Sequence, residues 1–229
     1  PTFIKEYSLK HTSSDVLAIA NAYNLQRFHL VGHDWGASVG WAFIAEQPER
    51  LYSWTSLSIP HMKAFQEAYR SDFDQQRKSK YIRYFNMPFF PELYLSFNGY
   101  NNLKNIWRVH DNEEKEAYLS VFRQRGALRS ALNWYRANIS RRRNPSDHIN
   151  FGDVEVPTLL IWGNMDMAIG RKSVVLSEQY MSGPYKFLEL YAGHWLIQES
   201  FDDVSKAIIK HINTYSLEYY EPQLRRKKK

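Results

Sequence analysis

Read from its first residue, the chain alternates helix-period segments with short apolar runs of strand length. Residues 12–24 (TSSDVLAIANAYN) place Val16, Leu17 and Ala20 on one face of a helix, with Ser13 or Ser14 as its cap. A buried strand is predicted at 27–32 (RFHLVG), and helix periodicity resumes over ASVGWAFIAEQPERL. Further strands are predicted at 52–58, 157–162 and 186–190, with helix at 174–180 and a last helix at 201–215. Asp202 and Asp203 at the start of that helix suit the positive end of its dipole. Apolar strands alternating with helices predict an α/β architecture built on a mostly parallel sheet of about four strands.

Residues 61–150 break this rhythm. They lack convincing strands, are dense in Tyr, Phe, Arg and Asn, and divide into helix-length pieces. A helical insertion between two halves of the sheet accounts for them, and it would form a cap. The expected organisation is a first core segment at 1–60, the helical cap at 61–150, a second core segment at 151–216 and a basic, disordered tail at 217–229.

Charge changes the picture less than it first promises. The net charge is +6, but five of the 30 basic residues are the terminal run Arg225 to Lys229, which leaves the rest of the chain close to balance. A nucleic-acid binder spreads its basic residues over a face, so this distribution argues against that class of partner. There is no cysteine, which excludes disulfide scaffolds, thiolate metal sites and a cysteine nucleophile. No apolar stretch approaches the roughly 18 residues needed to span a bilayer, so no membrane partner and a cytoplasmic location are expected.

The candidate chemistry begins at Gly32-His33-Asp34-Trp35-Gly36, between a predicted strand and a predicted helix. This is the form of a nucleophile elbow, G-x-Nu-x-G, in which a strand turns sharply into a helix. The expectation is that a Cβ at either flanking glycine would clash. Asp34 would then project above the sheet at a helix N-terminus, where free N–H groups favour negative charge. A carboxylate nucleophile displaces at a saturated carbon and forms an alkyl-enzyme ester. The alternative for Asp34 is a plain helix N-cap. Ser38 lies a turn into the helix and is a poor nucleophile candidate.

The segment GHDWGASVGWAFIAEQPERL closely resembles the epoxide-hydrolase branch of the α/β-hydrolase superfamily, and also the haloalkane dehalogenases. The resemblance extends from about residue 8 to residue 215 and implies an α/β-hydrolase fold with the order nucleophile, acid, histidine. His194, in Ala192-Gly193-His194-Trp195, stands where the base is expected, with Gly193 allowing its loop to approach the elbow. Asp166, after the strand PTLLIWG, is the orienting acid; Asp153 is its rival but precedes that strand. His33 is read as structural, with its side chain turned away. Epoxide hydrolases use two cap tyrosines on the ring oxygen. Tyr135 in LNWYR matches one and Tyr81 in KYIRYF is similar to the other, with Tyr84 as its substitute. The backbone N–H of Trp35 would serve as an oxyanion donor.

The implied function is opening of an epoxide to a diol, without metal or organic cofactor, on a small apolar substrate. A haloalkane dehalogenase using the same Asp34, Asp166 and His194 is the first alternative. The superfamily's His-Gly-x-Pro loop and its earlier strands have no counterpart before residue 27. The chain is therefore expected to be part of a longer one, or to be completed by a partner. A strand at 27–32 left as a bare edge could also drive self-association. A non-catalytic or partner-dependent chain is the remaining alternative.

Overall fold

The computed structural model describes all residues except Arg108, 140–146 and 227–229, with side chains described as far as Ser216. Four parallel strands, β1 (Phe28–His33), β2 (Leu51–Leu57), β3 (Thr158–Gly163) and β4 (Tyr185–Leu190), form one sheet in that order. Each lies within a residue or two of a predicted strand. All six residues of β3 are buried, which explains why it reads as an unbroken apolar run rather than an alternation. Among the described residues β1 pairs with β2 alone, and its Val31 is exposed.

In chain order the helices are α1 (Leu9–Ala22), α2 (Trp35–Glu46), α3 (Met62–Ser71), α4 (Phe73–Lys78), α5 (Lys80–Phe85) and α6 (Phe90–Lys104). They continue with α7 (Asn112–Phe122), α8 (Ala127–Ile139), α9 (Arg171–Val175), α10 (Leu196–Glu199) and α11 (Phe201–Arg226). No helix among the described residues is long and apolar enough to cross a membrane.

The chain packs as two compact units, one of residues 13–78 and 149–229, the other of residues 1–12 and 79–148. The first is the sheet unit. Its α2 covers one face of the sheet, where Gly40 meets the ring of Trp54 and the indole of Trp41 donates to the carbonyl of Ile59 at 3.1 Å. On the opposite face Leu57, Leu159 and Ile161 pack with Ala192, Leu196 and Val204, and Ala207 and Ile208 of α11 close over them. Each such side chain taken from water contributes about 1.5–3 kcal/mol.

The second unit is helical. Asn138 on α8 accepts the N–H of Leu9 at 2.9 Å and donates to the carbonyl of Tyr7 at 2.9 Å, which explains why the first twelve residues pack here. Arg136 makes a two-pronged ion pair with Glu92 at 2.7 and 2.9 Å and also donates to the carbonyl of Met87. That anchors the start of α6 to α8.

Three sequence expectations are corrected. α1 begins at Leu9, so Ser13 is interior and donates to Glu46 at 3.0 Å, while the cap is Ser8, whose Oγ accepts from the N–H of His11. The helical insertion starts at Ser79 rather than 61, because α3 and α4 pack in the sheet unit. The last helix continues past 215 to Arg226, so most of the expected tail is helical.

The Gly40–Trp54 contact sets two effects against each other. An alanine at 40 would gain about 1 kcal/mol of helix propensity. Its Cβ, however, would lie 2.0 Å from a fully buried indole ring. Overpacking wins, and Gly40→Ala is expected to lose about 1–3 kcal/mol in urea unfolding with an unchanged m-value. A stabilised variant would refute this account of the α2 face.

Candidate active site

β1 delivers its chain directly into the N-terminus of α2, and Asp34 occupies the corner with φ 51° and ψ −121°. A residue with a Cβ held at such positive φ costs about 1–3 kcal/mol, and such strain gathers at functional sites. The crowding that demands glycine is one-sided. A Cβ on Gly32 would come within 2.5 Å of the carbonyl oxygen of Gly36, whereas a Cβ on Gly36 would meet nothing. The expectation that both glycines relieve a clash thus holds at 32 only. The N–H of Trp35 donates to the Asp34 carboxylate. Ser38 donates back along its own helix to the carbonyl of Asp34, which leaves its hydroxyl poorly placed as a nucleophile.

Strands β3 and β4 supply the other two groups from their carboxyl ends. His194 lies between two carboxylates, with Nδ1 2.9 Å from Oδ2 of Asp166 and Nε2 3.2 Å from Oδ1 of Asp34. Exposure separates the two acids, since the Asp34 side chain is 34% exposed and that of Asp166 is 0%. A reactant can reach the first and not the second. Burial works against charge on His194, but hydrogen bonds and charge from Asp166 and Asp34 outweigh it and push its pKa up to about 10. Burial likewise opposes charge on Asp34. The hydrogen bond and charge of His194, with the Trp35 N–H, prevail and hold its carboxyl below the ordinary range.

Asp166 is held from both sides. Its Oδ1 accepts the N–H groups of Ala168 and Ile169 at 2.7 and 3.0 Å. The loop is fastened in turn by α4. Gln75, fully buried, donates to the carbonyl of Ala168 at 2.9 Å and accepts from the N–H of Gly170 at 2.8 Å. Lys78 donates to the carbonyls of Asp166 and Ile169. The rival acid, Asp153, is exposed.

Close approach between the acid and histidine loops depends on Gly163, where a Cβ would lie 2.3 Å from the carbonyl oxygen of Ala192. Gly193 has a different task from the one expected of it: its missing Cβ leaves room for the Glu199 carboxylate, which a Cβ there would meet at 2.7 Å. His33 serves the loop that carries His194. Its ring lies 5.0 Å from that of His194, and its Nε2 donates to the His194 carbonyl at 2.8 Å.

The two tyrosine candidates lie together in the helical unit. Tyr135 on α8 meets Tyr81 on α5 edge-on at 6.0 Å, and Phe85 packs against both. Tyr84, the substitute for Tyr81, is exposed. Among the described residues no cluster of His, Asp and Glu could hold a metal ion. Gln75, Lys78, Ser58 and Glu199 escape a reading of the sequence. Gln75 and Lys78 sit in a polar run that looks like a solvated face, while Glu199 is signalled only by its short spacing after His194.

Comparison with known proteins bears on the fold and the family. The family model for the alpha/beta hydrolase fold matches residues 1–201. Epoxide hydrolase 4 of Homo sapiens is 30% identical over 91% of this chain, and Epoxide hydrolase 3 of Xenopus tropicalis is 29% identical over 91%. The chain spans 59% of the length of each. The AB hydrolase superfamily protein YfhM of Bacillus subtilis is 28% identical, with 93% of this chain and 75% of that protein aligned. Among solved structures, an epoxide hydrolase from Bacillus megaterium superposes with a TM-score of 0.82 at 21% identity, over 93% of this chain and 78% of that one. A putative acyltransferase from Salmonella enterica reaches 0.76 at 18% identity, over 91% of this chain and 72% of that one, so structural likeness at this level speaks for the fold alone. A strand–elbow–helix carrying Asp34, a parallel sheet delivering Asp166 and His194, and a family match over most of its length together place this chain in the alpha/beta hydrolase fold family.

Proposed function

We propose that the protein opens epoxides to diols through a covalent ester on Asp34. The observation that carries this reading is a carboxylate, not a hydroxyl, at the elbow, reachable by a reactant and 3.2 Å from the imidazole of His194. Attack of a carboxylate on an acyl carbon would make a reactive anhydride, whereas attack on an epoxide carbon makes a stable ester. An Asp34 oxygen forms the new C–O bond as the epoxide C–O bond breaks. The departing oxygen takes a proton from Tyr135 or Tyr81, the phenols the resemblance assigns to that task.

The second half returns the enzyme to its resting state. His194 begins charged between two carboxylates and passes its proton through solvent to the phenolate, becoming a neutral base. It then takes a proton from water as hydroxide adds to the ester carbonyl carbon. The Trp35 N–H, which already donates to the Asp34 carboxylate, would stabilise the resulting oxyanion. Collapse releases the diol with a proton from His194, and ionisation of the regenerated Asp34 recharges the histidine. Asp166 keeps the ring oriented and stabilises its charged form. The epoxide-hydrolase relatives support epoxides as the substrate class.

Isotope placement tests the covalent step. A single turnover in ¹⁸O-water is expected to put label into the Asp34 carboxylate and none into the first diol. Label found directly in the diol would overturn the ester. His194→Gln is expected to accumulate the alkyl-enzyme, seen as a mass increase equal to that of the epoxide.

The phenols distinguish epoxide opening from dehalogenation. Tyr135→Phe is expected to lower kcat/KM for an aryl epoxide by about 10²-fold or more. Halide release from a haloalkane, unaffected by the same change and faster than diol formation, would favour a dehalogenase instead.

The ester also alters the histidine. Alkylation turns the charged Asp34 into a neutral ester and removes one of the two groups that raise the pKa of His194 above its ordinary 6.5 to about 10. Resting His194 is therefore charged at neutral pH and loses its proton as pH rises through about 10, whereas in the ester it does so at lower pH. Ester hydrolysis, followed after rapid mixing, is expected to rise with pH along a limb lying below the resting histidine's NMR titration. Coincidence of the two curves would count against this coupling.

A further inference from the structure

His194 lies on neither a strand nor a helix. β4 ends at Leu190 and the single turn of α10 starts at Leu196, so the imidazole is carried by an irregular loop. A base that must meet a water and an ester within hydrogen-bond reach needs more than a loop, because misplacement by an ångström costs about 10²-fold.

Three backbone polar groups at and beside that residue are taken by side chains from elsewhere. Glu199 accepts the N–H of Gly193 on one carboxylate oxygen at 2.8 Å and the N–H of Trp195 on the other at 3.1 Å, so it bridges the histidine. The carbonyl of His194 accepts from Nε2 of His33 at 2.8 Å and from Oγ of Ser58 at 3.2 Å. Ser58 is fully buried, follows β2 and is itself held at φ 69°. Glycine at 193 is what admits the carboxylate, since a Cβ there would lie 2.7 Å from Oε1 of Glu199. Hydrogen bonds to a charged acceptor are about twice as strong as neutral ones, and this acceptor spans two donors.

We propose that Glu199 is the positioning residue for His194, with His33 and Ser58 securing the same loop from its carbonyl side. Glu199 does not touch the reacting atoms; it sets where Nε2 points while Asp166 sets the tautomer. The inference rests on the ester mechanism above for its kinetic readout. Its burden should fall on the second step, which uses the imidazole, and spare the first, which uses Asp34 and the phenols.

The test uses Glu199→Ala and Glu199→Gln of the full-length protein beside His194→Gln. Glu199→Ala is expected to leave ester formation within about twofold of the parent and to slow ester hydrolysis by about 10²-fold, so that alkyl-enzyme accumulates. Glu199→Gln keeps one acceptor and is expected to fall between. Equal slowing of both steps marks a merely structural residue and overturns the proposal, as does no slowing of either. A second readout needs no substrate: the downfield proton resonance of His194 Nδ1–H against Asp166 is expected in the parent and broadened or lost in the variants at unchanged circular dichroism. Its persistence in folded Glu199→Ala overturns the proposal even if Glu199→Gln behaves as the parent. If His194→Gln accumulates no ester, the ester mechanism fails, and the proton resonance alone decides the role of Glu199.

Discussion

An imidazole between two carboxylates is the interaction to which the sheet unit answers. Asp34 and Asp166 are 2.9–3.2 Å from the two nitrogens of one ring, and the hydrogen bond and charge of His194 hold the carboxyl of Asp34 below its ordinary range against its burial. Breaking such a partnership on the buried side costs about 3–5 kcal/mol, because it leaves an uncompensated charge. Distances therefore have to be right, and much of the surrounding structure sets them. Gly163 brings the acid and histidine loops into contact, two N–H groups fix Asp166, and α4 fastens the loop that carries it.

The parts that could be read from sequence share a physical reason. A strand buried on both faces leaves an unbroken apolar run, as β3 does, while the half-buried β1 and β4 are legible as short apolar segments between helix-period stretches. Asp34, Asp166 and His194 could be named because each follows the carboxyl end of one of those strands, with glycine nearby where the backbone turns or another loop presses close. Tyr81 and Tyr135 are different. Among sixteen tyrosines only the resemblance of LNWYR and KYIRYF singled them out.

What escaped was long-range and polar. Gln75 stands in FDQQRK, which looks like a solvated helix, yet it is fully buried because backbone groups 93 and 95 residues away need partners. No local pattern announces such a need. For the same reason α3 and α4 were assigned to the insertion, since their membership of the sheet unit is decided by contacts with α9 and the acid loop. Ser13 resembles a cap in sequence although Ser8 ahead of it takes that place, and nothing in GHDWG reveals the carbonyl, in a loop 161 residues later, that His33 serves.

The seam between β2 and β3 has a consequence for how such a chain can change. Strands that end at Leu57 and begin at Thr158 hydrogen-bond as immediate neighbours, so the intervening stretch is a single loop to the sheet. The entropy of closing a loop grows only with the logarithm of its length, and a doubling costs about 0.6 kcal/mol. The stretch 79–148 can therefore be lengthened or shortened at little expense to the strand register, whereas α3 and α4 cannot, because Gln75 and Lys78 fasten the acid loop.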